Sequence, residues 1–140
     1  MVHISVSGLS TNGVDSSAPE ILLGATTYST AVDMWSVGCI FAELLLKEPL
    51  FQAKGELELI AMIFKLLGPP TSATWPDYSS LPLAKTINLP DPHSPQLRQK
   101  FPYITTAGLD LLSQLLTYDP EQRISAEEAL KHPYFRFVPS

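Results

Sequence analysis

The chain has 140 residues, 45% hydrophobic and 16% charged, with a net charge of -5, three histidines and one cysteine. That balance excludes a disordered polymer and suits one domain, or a piece of a larger one, able to bury about two-thirds of its unfolded surface. The acidic excess without any Lys/Arg cluster argues against a nucleic-acid partner held by its phosphates, the lone Cys39 rules out a disulfide framework, and no apolar run approaches the ~20 residues that span a bilayer.

In chain order, residues 1–17 are rich in Ser, Gly and Thr, lack both a basic and an apolar signal-peptide region, and are predicted to form a poorly ordered leader. "PEILLG" puts Pro19 at a first helical position, Glu20 at the positive end of the helix dipole and Gly24 at the stop, which predicts one or two turns. A longer helix, capped by Ser29 or Thr30, should run to about Lys47 with Val32, Trp35, Ile40, Phe41, Leu44 and Leu45 among its apolar positions. Apolar nearly all round, it belongs at the centre of a helical body, and Asp33 and Glu43 inside it rule against a membrane span. Cys39 within it reads as a buried thiol.

"ELELIAMIFKLLGPP" begins with Glu56 and Glu58 and carries Lys65 near its end, matching the dipole. Leu57, Ile60, Ala61, Phe64 and Leu67 recur at helical spacing, and Gly68, Pro69 and Pro70 form a firm stop. Residues 69–102 hold 8 of the 13 prolines, which predicts an irregular insert, pinned by Trp75, Tyr78, Leu81, Leu89 and Phe101. A further helix follows, with Leu109, Leu112, Leu115 and Leu116 in phase and Pro120 as its limit. Ser125 and Glu128 then make a capping box at the start of a short last helix, broken by Pro133. The predicted fold is mainly α with one Pro-rich excursion.

Self-contained chemistry is absent from this pattern. His3, His93 and His132 have no second ligand at metal-binding spacing and read as solvated surface residues. No G-x-S-x-G elbow, G-x-G-x-x-G loop or Walker lysine occurs, so nothing is expected to cradle a triphosphate.

What remains is the order "APE" at 18–20, "DMWSVG" at 33–38 and Arg123 within "DPEQRISAEEAL". This order resembles the second half of the large lobe of a eukaryotic Ser/Thr protein kinase, over residues 18–137. The runs "YSTAVDMWSVGCIFAELLLKEPLF", "WPDY" and "LTYDPEQRISAEEALKHPYF" resemble the cyclin-dependent kinase group, and "LLGATTYSTAVDMWSVGCIFAELL" its PITSLRE-type branch.

The resemblance implies that Asp33 accepts hydrogen bonds from the backbone of the catalytic loop, which lies outside this chain. It implies that Glu20 and Arg123 pair to tie the end of the activation segment to the last helices, with Trp35 and Gly38 in the same supporting frame. The helix from Glu56 to Leu67 and the insert after it would form the outer face, which some relatives use for docking regulatory proteins. ATP and magnesium, protein substrates and a cyclin belong to the parent family, as do control of the cell cycle or of transcription and RNA processing, and residence in nucleus or cytoplasm. No cofactor is expected for this chain alone. It also departs from the pattern: Ser17 stands where the family carries Arg, and no threonine stands in the activation setting before Ala18. The small lobe, its Gly loop and lysine, the catalytic-loop Asp and the metal-binding Asp lie outside the sequence, so the chain alone is expected to be inactive. The break at Ser17 suggests a truncated, spliced or degenerate form of a kinase. The alternative is a genuine noncatalytic helical module that binds a kinase or its regulators.

Overall fold

A computed structural model describes residues 17–26 and 29–137. The predicted leader, apart from Ser17, and the tail at 138–140 lie outside those residues. Among the described residues six α-helices run in chain order: α1 (Pro19–Leu22), α2 (Thr30–Leu46), α3 (Glu56–Leu67), α4 (Leu97–Lys100), α5 (Thr106–Leu115) and α6 (Ala126–Leu130). Short 3-10 turns occupy Tyr78–Ser80, Ala84–Thr86 and Pro133–Phe137. No strand occurs among the described residues.

Local chemistry sets the ends of these elements. Ser29 caps α2 by accepting from the Ala31 N–H at 3.2 Å, and Lys47 closes it in the left-handed region at φ 62°. Gly24 and Gly68, at φ 95° and 82°, turn the chain out of α1 and α3 through a conformation that a β-carbon disfavours. Thr105 caps α5 through the Gly108 N–H, and Ser125 and Glu128 complete both halves of the capping box on α6. Helix α5 stops at Leu115, short of Pro120, because the chain turns to deliver the Thr117 and Tyr118 carbonyls to another partner.

The core lies where α2, α3 and α5 meet, around Trp35, Cys39, Ala42, Ile63, Phe64 and Leu112. Gly38 sets the closest approach: a β-carbon there would stand 2.8 Å from a Leu116 methyl and 3.0 Å from Leu115 Cβ, so α2 and the end of α5 are in near backbone contact. On α3 the buried positions are Leu59, Ile60, Ile63, Phe64 and Leu67. Leu57 is 74% exposed and Ala61 is exposed, so the buried stripe is rotated from the predicted one; a 3.6-residue period gives the spacing of a face, and the neighbouring helices decide which face it is.

The Pro-rich insert is pinned by four of the five expected residues, Trp75, Tyr78, Leu81 and Phe101, with Leu97 in place of Leu89. Trp75 stacks on Tyr118 with centroids 5.6 Å apart, Phe64 meets Tyr118 edge-on at 5.8 Å, and Tyr78 closes the group against Phe64 and Trp75. The Tyr118 hydroxyl donates to the Gly68 carbonyl, and burial, reinforced by the Tyr78 phenol, pushes its own phenol well above the usual range, so it stays a donor. Leu97 and Phe101 are buried, whereas Leu89 is 44% exposed and anchors nothing. The reason is local: Leu89 lies in the irregular run between Ile87 and Gln96, while Leu97 opens a helical turn directed at the core.

His132 also departs from the expected surface role. It is buried, its Nδ1 accepts the Tyr134 N–H at 3.0 Å, and its Nε2 donates to Asp110 Oδ2 at 2.7 Å. Chiefly this hydrogen bond, with a second from Gln114, holds the Asp110 carboxyl below its ordinary value. A carboxyl with a depressed folded value contributes stability above its unfolded value near ~3.9 and loses it as pH falls through the folded one. Asp110→Asn should therefore reduce the fall in the urea midpoint between about pH 5 and pH 3. An acid slope identical to wild type would show that this pair does not couple to folding.

Candidate functional site

Arg123 is the centre of the most heavily bonded group in the fold. The turn that holds it begins at Asp119, whose side chain accepts the Glu121 N–H and whose carbonyl accepts the N–H groups of Gln122 and Arg123. From there the side chain runs inward, with none of its surface exposed. Its guanidinium makes a two-pronged pair with Glu20, Nη1 to Oε2 at 2.8 Å and Nη2 to Oε1 at 2.9 Å. The remaining donors reach three carbonyls: Nε to Thr117 at 2.9 Å, Nη1 to Ala31 at 2.7 Å and Nη2 to Tyr118 at 3.1 Å. All five N–H groups of the fork are thereby matched, as a buried guanidinium requires. Its plane lies over the Trp35 ring, 5.3 Å from the centroid.

Glu20 reaches this place because Pro19 starts α1 and directs the next residue inward, where its side chain is 6% exposed. Its carboxylate joins α1 to a residue 103 positions later. The Ala31 carbonyl brings the first turn of α2 into the same node. Trp35, one turn further along α2, is completely buried, and its indole N–H finds no acceptor among the described residues.

The structure thus brings Glu20, Arg123 and Trp35 together. Gly38 lies further along α2, at the seam with α5, and takes no part in the node. Asp33, in the first turn of α2, is half-buried and accepts no hydrogen bond from a described residue. Three members of the node were hidden from side-chain pattern: the carbonyls of Ala31, Thr117 and Tyr118.

Beside the node, α2 is not enclosed on every side. Leu44 and Leu45 are 64% and 40% exposed. With Val37, Ile40 and Phe41 they border a groove of about 430 Å³ whose other wall is Leu111, Leu115 and Tyr134. The expectation of a helix wrapped all round is corrected here: the Trp35, Cys39 and Ala42 stripe is covered, and the Leu44 and Leu45 stripe is not. Trp35, on the covered stripe, lies beneath Arg123.

Among the described residues no three His, Cys, Asp or Glu side chains converge on a point that could hold a metal. No described helix is long and apolar enough to cross a membrane.

Comparison with known proteins agrees with this architecture. The protein kinase domain family matches residues 14–135. Cyclin-dependent kinase G-2 of Oryza sativa subsp. japonica is 53% identical over 130 residues, covering 87% of this chain and 18% of that protein. Cyclin-dependent kinase 11 of Dictyostelium discoideum is 53% identical over 118 residues, 84% of this chain and 33% of its own length. Cyclin-dependent kinase 11B of Homo sapiens is 52% identical over 123 residues, 87% of this chain and 16% of its own. The chain spans between 16% and 33% of the length of these three relatives. A helical body, a buried Glu20–Arg123 fork and these likenesses belong together: the chain is a member of the protein kinase domain family and matches the PITSLRE-type branch of its cyclin-dependent kinases.

Proposed function

We propose that these residues serve as the C-terminal frame of the large lobe in a cyclin-dependent-type Ser/Thr protein kinase, and that phosphoryl transfer from ATP to protein hydroxyls belongs to a longer chain. The Glu20–Arg123 node carries this reading. A guanidinium with all five donors matched fixes one end of α1 against α2 and the turn at 117–123, which is what an activation segment needs if its last residues are to hold a protein substrate in register. In this reading Glu20 and Arg123 are positioning residues, Trp35 supports the guanidinium, and Gly38 lets α5 approach α2.

Asp33 takes the role of an acceptor for the backbone of a catalytic loop supplied from elsewhere in the protein. Its half-buried carboxylate, with no hydrogen bond from a described residue, suits that assignment. A charge-assisted acceptor of this kind contributes about 1.5–3 kcal/mol once its donors arrive. The cyclin, the protein substrates, magnesium nucleotide and a nuclear or cytoplasmic address belong to the longer protein in this reading, and the 140 residues alone transfer no phosphate.

The intact mass of the endogenous protein that yields the tryptic peptide Gly55–Lys65 tests the proposal. A species much heavier than 15.4 kDa supports a kinase whose remaining motifs lie outside this sequence; a species at 15.4 kDa overturns that reading in favour of a noncatalytic helical module. The α2–α5 groove gives a second test. An uncovered apolar surface of this kind marks a missing partner or an aggregation hazard. The isolated chain should bind a hydrophobic dye and self-associate, and L44E combined with L45K should lower both. A wild-type chain that is monomeric, cooperative in unfolding and silent to the dye would count against a missing part of the lobe.

A further inference from the structure

We propose that Ser94 is a phosphorylation site for a proline-directed protein kinase. Ser94-Pro95 is the only Ser/Thr-Pro pair among the 140 residues. It lies in the run from Ile87 to Gln96, which is neither helix nor strand, and Ser94 is exposed. Its hydroxyl makes no hydrogen bond to a described residue. A following proline biases Ser94 towards extended backbone, the form in which a peptide enters a kinase cleft, and removes the N–H that would otherwise be presented at the next position.

The segment is exposed yet held at its end. The Gln96 N–H donates to the Leu66 carbonyl at 2.7 Å, and Leu97 is buried immediately afterwards. The His93 carbonyl packs so closely on Gly68 that a β-carbon there would not fit. Modification at Ser94 therefore breaks no contact of the fold while its backbone neighbours stay in place. In the reaction Ser94 Oγ forms a bond to the γ-phosphorus of ATP, the bond from that phosphorus to the β,γ-bridging oxygen breaks with its electron pair going to ADP, and the hydroxyl proton passes to the kinase's base. The product adds about 1.5–2 negative charges at neutral pH. Two residues further on, Gln96 lines a groove of about 400 Å³ whose ionic side chains are Lys65 and Lys100, so the phosphate changes the charge beside a basic rim.

The test treats the native chain, and separately a synthetic Thr86–Arg98 peptide, with a mitogen-activated protein kinase and magnesium ATP. The expected result is one phosphate, on Ser94 of the tryptic peptide Thr86–Arg98. The native rate should lie within about threefold of the peptide's, because no local unfolding is needed to expose the site. Ser94→Ala should abolish the signal and Pro95→Ala should lower the rate about tenfold or more. Phosphate on Thr86 or elsewhere, a native rate more than about tenfold below the peptide's, or indifference to Pro95→Ala overturns the proposal. A second measurement does not depend on how the purified chain folds: phosphopeptide mapping of the endogenous protein under phosphatase inhibition. Occupancy at Ser94 supports the assignment, and its absence from dividing and resting cells alike overturns it.

Discussion

Arg123→Met should destabilise the fold by about 3–5 kcal/mol, the usual cost of removing one partner from a buried ion pair. The side chains of Arg123 and Glu20 are 0% and 6% exposed, so solvent offers the abandoned carboxylate little compensation. The substitution keeps length and apolar volume but leaves five acceptors without their donors: two Glu20 oxygens and the carbonyls of Ala31, Thr117 and Tyr118. Arg123→Lys keeps the charge but has three donors on a compact head and cannot match the fork, so its loss should be smaller than that of methionine yet clear. Adding Glu20→Leu to Arg123→Met should restore part of the stability, since it removes the buried charge; the three orphaned carbonyls prevent full recovery. Urea denaturation of the four proteins checks this. A loss below about 1 kcal/mol for Arg123→Met would show that the pair is solvated and not the centre of the node.

Trp35→Ala is the second large effect, about 3–5 kcal/mol, because it empties a wholly buried indole position at the meeting of α2 with the Arg123 turn. Two terms contribute: the lost contacts of the ring, and the removal of the aromatic face beneath the guanidinium, which is worth up to about 2 kcal/mol when desolvated. Trp35→Phe separates them. Phenylalanine keeps an aromatic face and gives up an indole N–H that has no acceptor among the described residues, so its cost should stay under about 1.5 kcal/mol. A double-mutant cycle of Trp35→Phe with Arg123→Lys then reports the coupling between ring and cation. If phenylalanine proves as damaging as alanine, the indole nitrogen has a partner in solution and the packing account fails.

Much of the scaffold was legible because its punctuation is chemical. Pro19, Ser29, Gly24, Gly68 and the Ser125–Glu128 box mark element ends through constraints that act within a few residues, and each of these ends lies where local rules put it. What depended on distant neighbours was not legible in the same way. The period of α3 gave its spacing, yet Leu57 faces solvent and Leu59 the core, because Trp75, Tyr118 and the turn after α2 decide which side is covered. His132 looked like a surface residue since nothing near it in sequence announces Asp110, 22 positions earlier. Leu89 and Leu97 are equally apolar, and only the three-dimensional path separates the idle one from the anchor. In the candidate site, side-chain pattern reached Glu20, Arg123 and Trp35 through resemblance, while the carbonyls of Ala31, Thr117 and Tyr118 carry no residue-type signature at all.

The fork between Glu20 and Arg123 spans 103 positions of chain and has no short-range substitute. Loop-closure entropy opposes such a contact until the intervening helices have already docked, and its five bonds need near-final geometry to form together. It is therefore a late event of folding and an early gatekeeper of escape. Damage to it would leave the rate of reaching the native state little changed and shorten the time the molecule stays there, so α1 is held chiefly by slow departure.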